Sequence, residues 1–315
     1  MTSESAVPHA GIPLRPPPFG RLITAMVTPF DADGALDLDA AAELATRLVD
    51  EQQHDGLVLN GTAGESPTTT DDEKRNLIRV VCQAVGDRAS IVAGVGTFST
   101  EHTIKLAHEA ADAGAHGVLV VTPYYSKPPQ AGLLQHFRTV ADSVELPVML
   151  YDIPHRAGIP IATATLLALS EHPRIVAVKD AKGDLVASSQ VIATTRAAGH
   201  QLDFYCGDDP LTLPMLALGA VGVVGTSTHF TGLTVRAMID AFLAGDHEAA
   251  LALHIQGLPL FTGIFATQGS ILVKAGLELQ GRGVGGLRSP LVAATDAERS
   301  ALAECMRAAG VPVGS

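Results

Sequence analysis

From residue 22 onward, short runs that are apolar on both faces alternate with longer stretches whose apolar residues recur every three or four positions. The short runs fall at 22–30, 56–60, 91–95, 118–124, 148–153, 175–179, 202–206 and 221–225. A strand apolar on both sides has to be covered on both sides, which a parallel sheet wrapped in helices provides. The intervening stretches, among them 38–51, 71–84, 100–113, 131–143, 162–170 and 185–198, read as those helices. An open doubly wound sheet also alternates in this way, but eight evenly spaced units predict closure, an α/β fold of the (β/α)8 TIM barrel type. The barrel is expected over 21–238. Residues 239–315 carry helical patterns and no further strand runs, so they read as a small C-terminal helical appendage. Residues 1–20, rich in Pro, Ser and Ala and containing RPPPFG, read as a mobile N-terminal tail.

One of the buried runs, IVAVKDA from Ile175 to Ala181, contains a lysine, Lys179. An ammonium taken out of water either pairs with a carboxylate or gives up its proton. The first outcome is a structural ion pair with Asp180 as the nearest acid, although adjacent strand residues point to opposite faces. The second makes Lys179 a nucleophile.

The formal charge of -12 argues against nucleic acid or an anionic membrane as partner. Three cysteines, Cys82, Cys206 and Cys305, are widely spaced and contain no C-x-x-C pair, so neither a disulfide framework nor a metal site is expected. A reducing, cytoplasmic setting fits that usage. No signal peptide is legible at the start, and no apolar run is long enough to span a bilayer.

In a barrel of this kind chemistry sits on the loops that follow the strands. After the second run come Gly61, Thr62, Ala63, Gly64, Glu65 and Ser66, a glycine-bearing turn entering a helix. Its backbone N–H groups can cradle a carboxylate and its Thr62 hydroxyl can relay a proton, though Gly and Thr are also ordinary turn residues. The fourth run ends in Thr122, Pro123, Tyr124 and Tyr125, and the fifth in Tyr151, Asp152, Ile153, Pro154, His155 and Arg156. A phenol at a strand end is either packing with a hydrogen-bonded tip or part of a polar site.

Taken in order, GTAGES, VTPYY, YDIPHRAG, VAVKDA and YCGDD resemble the motifs of the pyruvate-dependent class I aldolases, the family that includes dihydrodipicolinate synthase and N-acetylneuraminate lyase. The resemblance runs from about residue 21 to the C-terminus. Arg156, the GDD segment and LQGRGVGGLRSPLVAAT look most like the dihydrodipicolinate synthase branch. It implies that Lys179 forms a Schiff base with pyruvate, that Tyr151, Thr62 and Tyr125 relay protons, and that Tyr125 serves a neighbouring subunit. The chain is then at least a dimer, commonly a dimer of dimers. Arg156 corresponds to the group that holds the carboxylate of the aldehyde, L-aspartate-4-semialdehyde, while Ala63, Gly207, Asp208 and the backbone near Val224 line the pocket. The product is 4-hydroxy-tetrahydrodipicolinate, and no metal or separate cofactor is implied. A sibling aldolase or lyase, or a catalytically silent binding subunit, are the competing implications.

The chain departs from the family pattern at Ala63, where a second threonine is common, and at Gly225 and Thr226, where serine and valine are common. The first departure implies weaker pyruvate binding, and the second a changed pocket floor. At the positions aligned with the family's lysine-effector site stand Asp71, Lys74, Phe98 and His102, which implies insensitivity to lysine. His155 receives no role.

Overall fold

A computed structural model describes residues 16–314. The first half runs β1 (Leu22–Ala25), α1 (Leu38–Asp50), β2 (Gly56–Leu59), α2 (Asp71–Val85), β3 (Ser90–Gly94), α3 (Thr100–Asp112), β4 (Gly117–Val121) and α4 (Gln130–Ser143). The barrel continues with β5 (Val148–Asp152), α5 (Pro154–Ala157), α6 (Thr163–Leu169), β6 (Ile175–Asp180), α7 (Leu185–Ala197), β7 (Asp203–Cys206), α8 (Thr212–Leu218), β8 (Gly222–Gly225) and α9 (Thr228–Leu243). Three further helices follow, α10 (His247–Gly263), α11 (Gly269–Leu279) and α12 (Asp296–Ala308).

The strands pair in chain order, all parallel, and β8 returns to β1 through Ile23 opposite Val224. That last pairing closes the sheet and excludes the open alternative. Local chemistry starts the helices: the Asp37 carboxylate accepts the Ala40 N–H ahead of α1, and Thr70 with Glu73 forms a capping box at α2.

Several strands are shorter than their apolar runs. The run at 22–30 yields only β1, because past Ala25 the chain leaves the ladder after Met26 donates to the Val58 carbonyl at 3.0 Å, and Pro29 has no N–H to offer. The run at 118–124 stops at Val121, two residues before Pro123.

Two expected boundaries need correction. The tail assigned to 1–20 falls outside the described residues as far as residue 15, but Phe19 is buried in the core. It packs at the N-terminal end of the strands, where a Cβ on Gly117 would come within 2.5 Å of its ring, and the Tyr205 hydroxyl donates to the neighbouring Gly20 carbonyl at 2.9 Å. The barrel limit at 238 cuts α9, which runs on to Leu243 because it packs along both β1 and α10. The appendage therefore begins after Leu243. Its α11 comes back to the C-terminal end of the barrel, where the Ser270 hydroxyl donates to the Ala63 carbonyl at 2.9 Å.

Candidate active site

The register of β5 on β6 sets Tyr151 opposite Lys179. Both side chains turn into a cavity of about 440 Å³ at the C-terminal end of the strands, bounded by Thr62, Ala63, Arg156, Gly207, Asp208 and Ser270 among others. The Lys179 Nζ lies 4.4 Å from the centre of the Tyr151 ring, and the residue is only 5% exposed. Among the described residues Lys179 has no ion-pair partner. Asp180 faces the other way, 3.2 Å from Lys182 Nζ and accepting the Ser188 hydroxyl at 2.6 Å. The structural ion pair left open by the sequence is thereby excluded.

Burial lowers the Lys179 pKa to about 8, with the Arg156 guanidinium adding to the effect and the Asp209 carboxylate opposing both. A useful fraction of the amine is therefore free at neutral pH. Burial also pushes the Tyr151 phenol up to about 12, against the pull of Arg156 and the Thr62 hydroxyl. It is held protonated, as a proton donor must be before it acts.

The turn after β2 is fixed from several sides. The Thr28 hydroxyl donates to the Gly64 carbonyl at 2.7 Å and Ser270 to that of Ala63. Glu65, left-handed at φ 55°, is buried with Lys274 Nζ 2.8 Å from Oε1, while the Arg288 N–H donates to Oε2 at 3.0 Å. Asp209, wholly buried, accepts the Thr226 N–H at 3.1 Å and the Ser227 N–H at 2.8 Å, pinning the turn that follows β8. Burial raises its pKa, and burial likewise raises that of the half-buried Asp208 carboxyl.

Of the residues singled out by sequence, Lys179, Tyr151, Thr62, Ala63, Arg156, Gly207 and Asp208 share this one cavity. Gly207 passes so close to the lysine that a Cβ there would sit 3.0 Å from Lys179 Cγ. Two residues stand apart. Val224 is buried within β8 and does not reach the cavity wall; Thr226, two positions on, does. Tyr125 is 95% exposed at φ 71° and borders an adjoining cavity of about 380 Å³, which shares Thr62, Tyr151 and Arg156 with the first. The floor is not opened by Gly225, since a Cβ there would lie 2.6 Å from Thr228 Cγ2, and Thr228 fills that space.

Sequence reading missed Ser270 and Lys274, and gave Asp209 no role beyond its place in the GDD segment. Lys274 carries the signal that drew attention to Lys179, a lysine inside an apolar run, here SILVKAGLEL.

The model of the dihydrodipicolinate synthetase family matches residues 18–309. The 4-hydroxy-tetrahydrodipicolinate synthase of Acidothermus cellulolyticus is 64% identical over 297 residues, 94% of each chain. Among solved structures, the DHDPS from Cyanidioschyzon merolae with lysine bound matches at TM-score 0.90 and 41% identity, over 94% of this chain and 100% of that one. The chloride-inhibited dihydrodipicolinate synthase from Acinetobacter baumannii complexed with pyruvate matches at TM-score 0.88 and 32% identity, over 93% of this chain and 99% of that one.

Proposed function

The chain belongs to the dihydrodipicolinate synthetase family and carries out the 4-hydroxy-tetrahydrodipicolinate synthase reaction, and we propose that it does so through an imine at Lys179. The activity is that of a lyase joining pyruvate to L-aspartate-4-semialdehyde, on the route to diaminopimelate and lysine. The observation that carries the proposal is a buried lysine, depressed to a pKa of about 8, facing a protonated tyrosine in the cavity at the barrel's mouth.

The neutral amine of Lys179 attacks the keto carbon of pyruvate, and the carbinolamine loses its hydroxyl as water once Tyr151 supplies a proton. The cationic imine draws electrons from the adjacent methyl group, which sheds a proton to become an enamine. Its carbon then attacks the aldehyde carbon of the semialdehyde, and the new alkoxide takes up a proton. Finally the amine of the adduct attacks the imine carbon, closing the ring and returning Lys179 as a free amine. The imine itself is the electron sink, so these steps call for no added cofactor.

Thr62 sits between the two cavities, where its hydroxyl can pass protons to and from Tyr151. Arg156 stands on α5 at the rim with no ion-pair partner among the described residues, and its planar fork suits the carboxylate of the second substrate. Backbone N–H groups around Thr62 and Ala63 are assigned to the pyruvate carboxylate, and Gly207 and Asp208 border the same cavity.

The exposed, left-handed Tyr125 supports an assembly of at least two chains, in which it completes the relay of a neighbour and two such pairs form a tetramer. Small molecules are then the remaining partners. No helix among the described residues is long and apolar enough to cross a membrane, and three unpaired cysteines suit a reducing cytoplasm.

The test is borohydride reduction in the presence of pyruvate, followed by turnover with a panel of aldehydes. A pyruvate-derived mass added at Lys179 and turnover of aspartate semialdehyde are expected. No added mass overturns the imine, and trapping without that turnover reassigns the acceptor to another aldehyde.

A further inference from the structure

The register that places Tyr151 against Lys179 places Asp152 against Asp180. Side chains alternate along a strand, so these two carboxylates point away from the cavity, and neither borders it. Their side chains are 0% and 2% exposed. Like charges directly opposite one another on neighbouring strands repel, more strongly out of water.

Lys182 lies between them, its side chain 7% exposed, with Nζ 3.4 Å from Asp152 Oδ2 and 3.2 Å from Asp180 Oδ2. The other oxygens are held by neutral donors. The Ile161 N–H donates to Asp152 Oδ1 at 3.1 Å, and the Lys182 N–H to Asp180 Oδ1 at 3.1 Å. Asp152 Oδ2 receives no hydrogen bond, and the ammonium is its compensation among the described residues.

We propose that Lys182 is a positioning residue for the imine chemistry: by joining Asp152 to Asp180 behind the sheet, it holds the ends of β5 and β6 so that Tyr151 stays over Lys179. The inference rests on the reading of Lys179 and Tyr151 as the reacting pair. Without the ammonium, two buried carboxylates face each other, and the strand ends relieve the repulsion by parting or by taking up a proton. A displacement of about 1 Å at a reacting pair is worth roughly a hundredfold in rate. Lys182 touches neither cavity, so substrate affinity is left to other residues.

The decisive variant is Lys182→Met, which keeps the length of the side chain and removes its charge. A kcat lowered by about tenfold to a hundredfold is expected, with the pyruvate KM within about twofold and the rate of borohydride trapping slowed in step with kcat. The double variant Asp152→Asn/Lys182→Met removes one of the opposed charges, and its amide can donate to Asp180 while still accepting the Ile161 N–H. Recovery of kcat by at least about fivefold over Lys182→Met is expected, a coupling that independent sites would not show. A residue that only stabilises the fold would lower the melting temperature and leave kcat untouched below it. Lys182→Met with kcat and trapping rate within about twofold of the parent therefore overturns the proposal, as does a double variant without recovery. Should the single variant not fold, a folded double variant within about fivefold of the parent kcat supports the proposal and a slower one overturns it. If the parent enzyme itself is not trapped by pyruvate, the reading of Lys179 fails instead, and the two failures are told apart.

Discussion

The Lys179 ammonium nitrogen sits over the face of the Tyr151 ring, 4.4 Å from its centre, because the two residues are register partners on adjacent parallel strands. Tyr151→Phe keeps the ring and removes the proton. A kcat lower by about a hundredfold to ten-thousandfold is expected, the range of general acid and base catalysis, with circular dichroism unchanged. A loss smaller than about tenfold, measured in the coupled synthase assay, would move the relay to another group.

The pH dependence of kcat/KM for pyruvate is expected to follow Lys179 in the free enzyme. Its pKa is depressed to about 8, so activity rises as pH climbs toward that value and the amine loses its proton. Arg156 is one of the groups that lower it, and Arg156→Gln removes a nearby positive charge. The acid limb is therefore expected to move to higher pH, while the KM for the aldehyde rises. A limb that stays in place would show that burial alone sets the amine.

Ala63 borders the cavity beside Thr62, and the Ser270 hydroxyl is spent on its carbonyl. No hydroxyl at position 63 is available to a bound carboxylate. Introducing one with Ala63→Thr is expected to lower the pyruvate KM by about tenfold, the worth of a hydrogen bond to a charged group. An unchanged KM in steady-state kinetics rejects this account.

At Asp71, Lys74 and His102, the positions expected to answer to an effector, the polar groups are already engaged. Asp71 takes Lys105 at 2.8 Å and His102 at 3.0 Å, while Lys74 Nζ donates to the Thr69 carbonyl at 2.5 Å. Lysine at up to about 1 mM is expected to leave the initial rate unchanged, since weaker binding than about 4 kcal/mol would be invisible there. Inhibition by half below that concentration would contradict it.

Lys274 and Glu65 form a buried pair, 3% and 0% exposed, that ties α11 to the turn carrying Thr62. Lys274→Met leaves the carboxylate without its partner and is expected to cost about 3 to 5 kcal/mol in denaturant unfolding. A cost below about 1 kcal/mol would mean that the Arg288 N–H alone suffices for Glu65.

The sequence made the barrel legible because short runs apolar on both faces alternate eight times with longer stretches of helical period, and it is this alternation, not the period of any one run, that identifies the strands. Lys179 could be found for the same reason: a charge inside such a run stands out against its neighbours. The places where reading failed depend on contacts between distant segments. Ser270 lies more than two hundred positions from the Ala63 carbonyl it holds. Phe19 was taken for tail because Pro-rich text says nothing of the cleft that receives its ring, and nothing in the sequence marks Lys182, which meets two acids only through the pairing of β5 with β6. The true end of the barrel was missed because a helix gives no local sign of which partner it packs on.

The turn that carries Thr62 is fastened by residues made late in synthesis, Ser270, Lys274 and Arg288. A growing chain that has already emerged with all eight strands would carry Lys179 and the Thr28 contact to that turn, yet lack these three later fasteners. The groups that hold the Ala63 carbonyl and the Glu65 carboxylate are thus supplied only when α11 and the segment after it have been made.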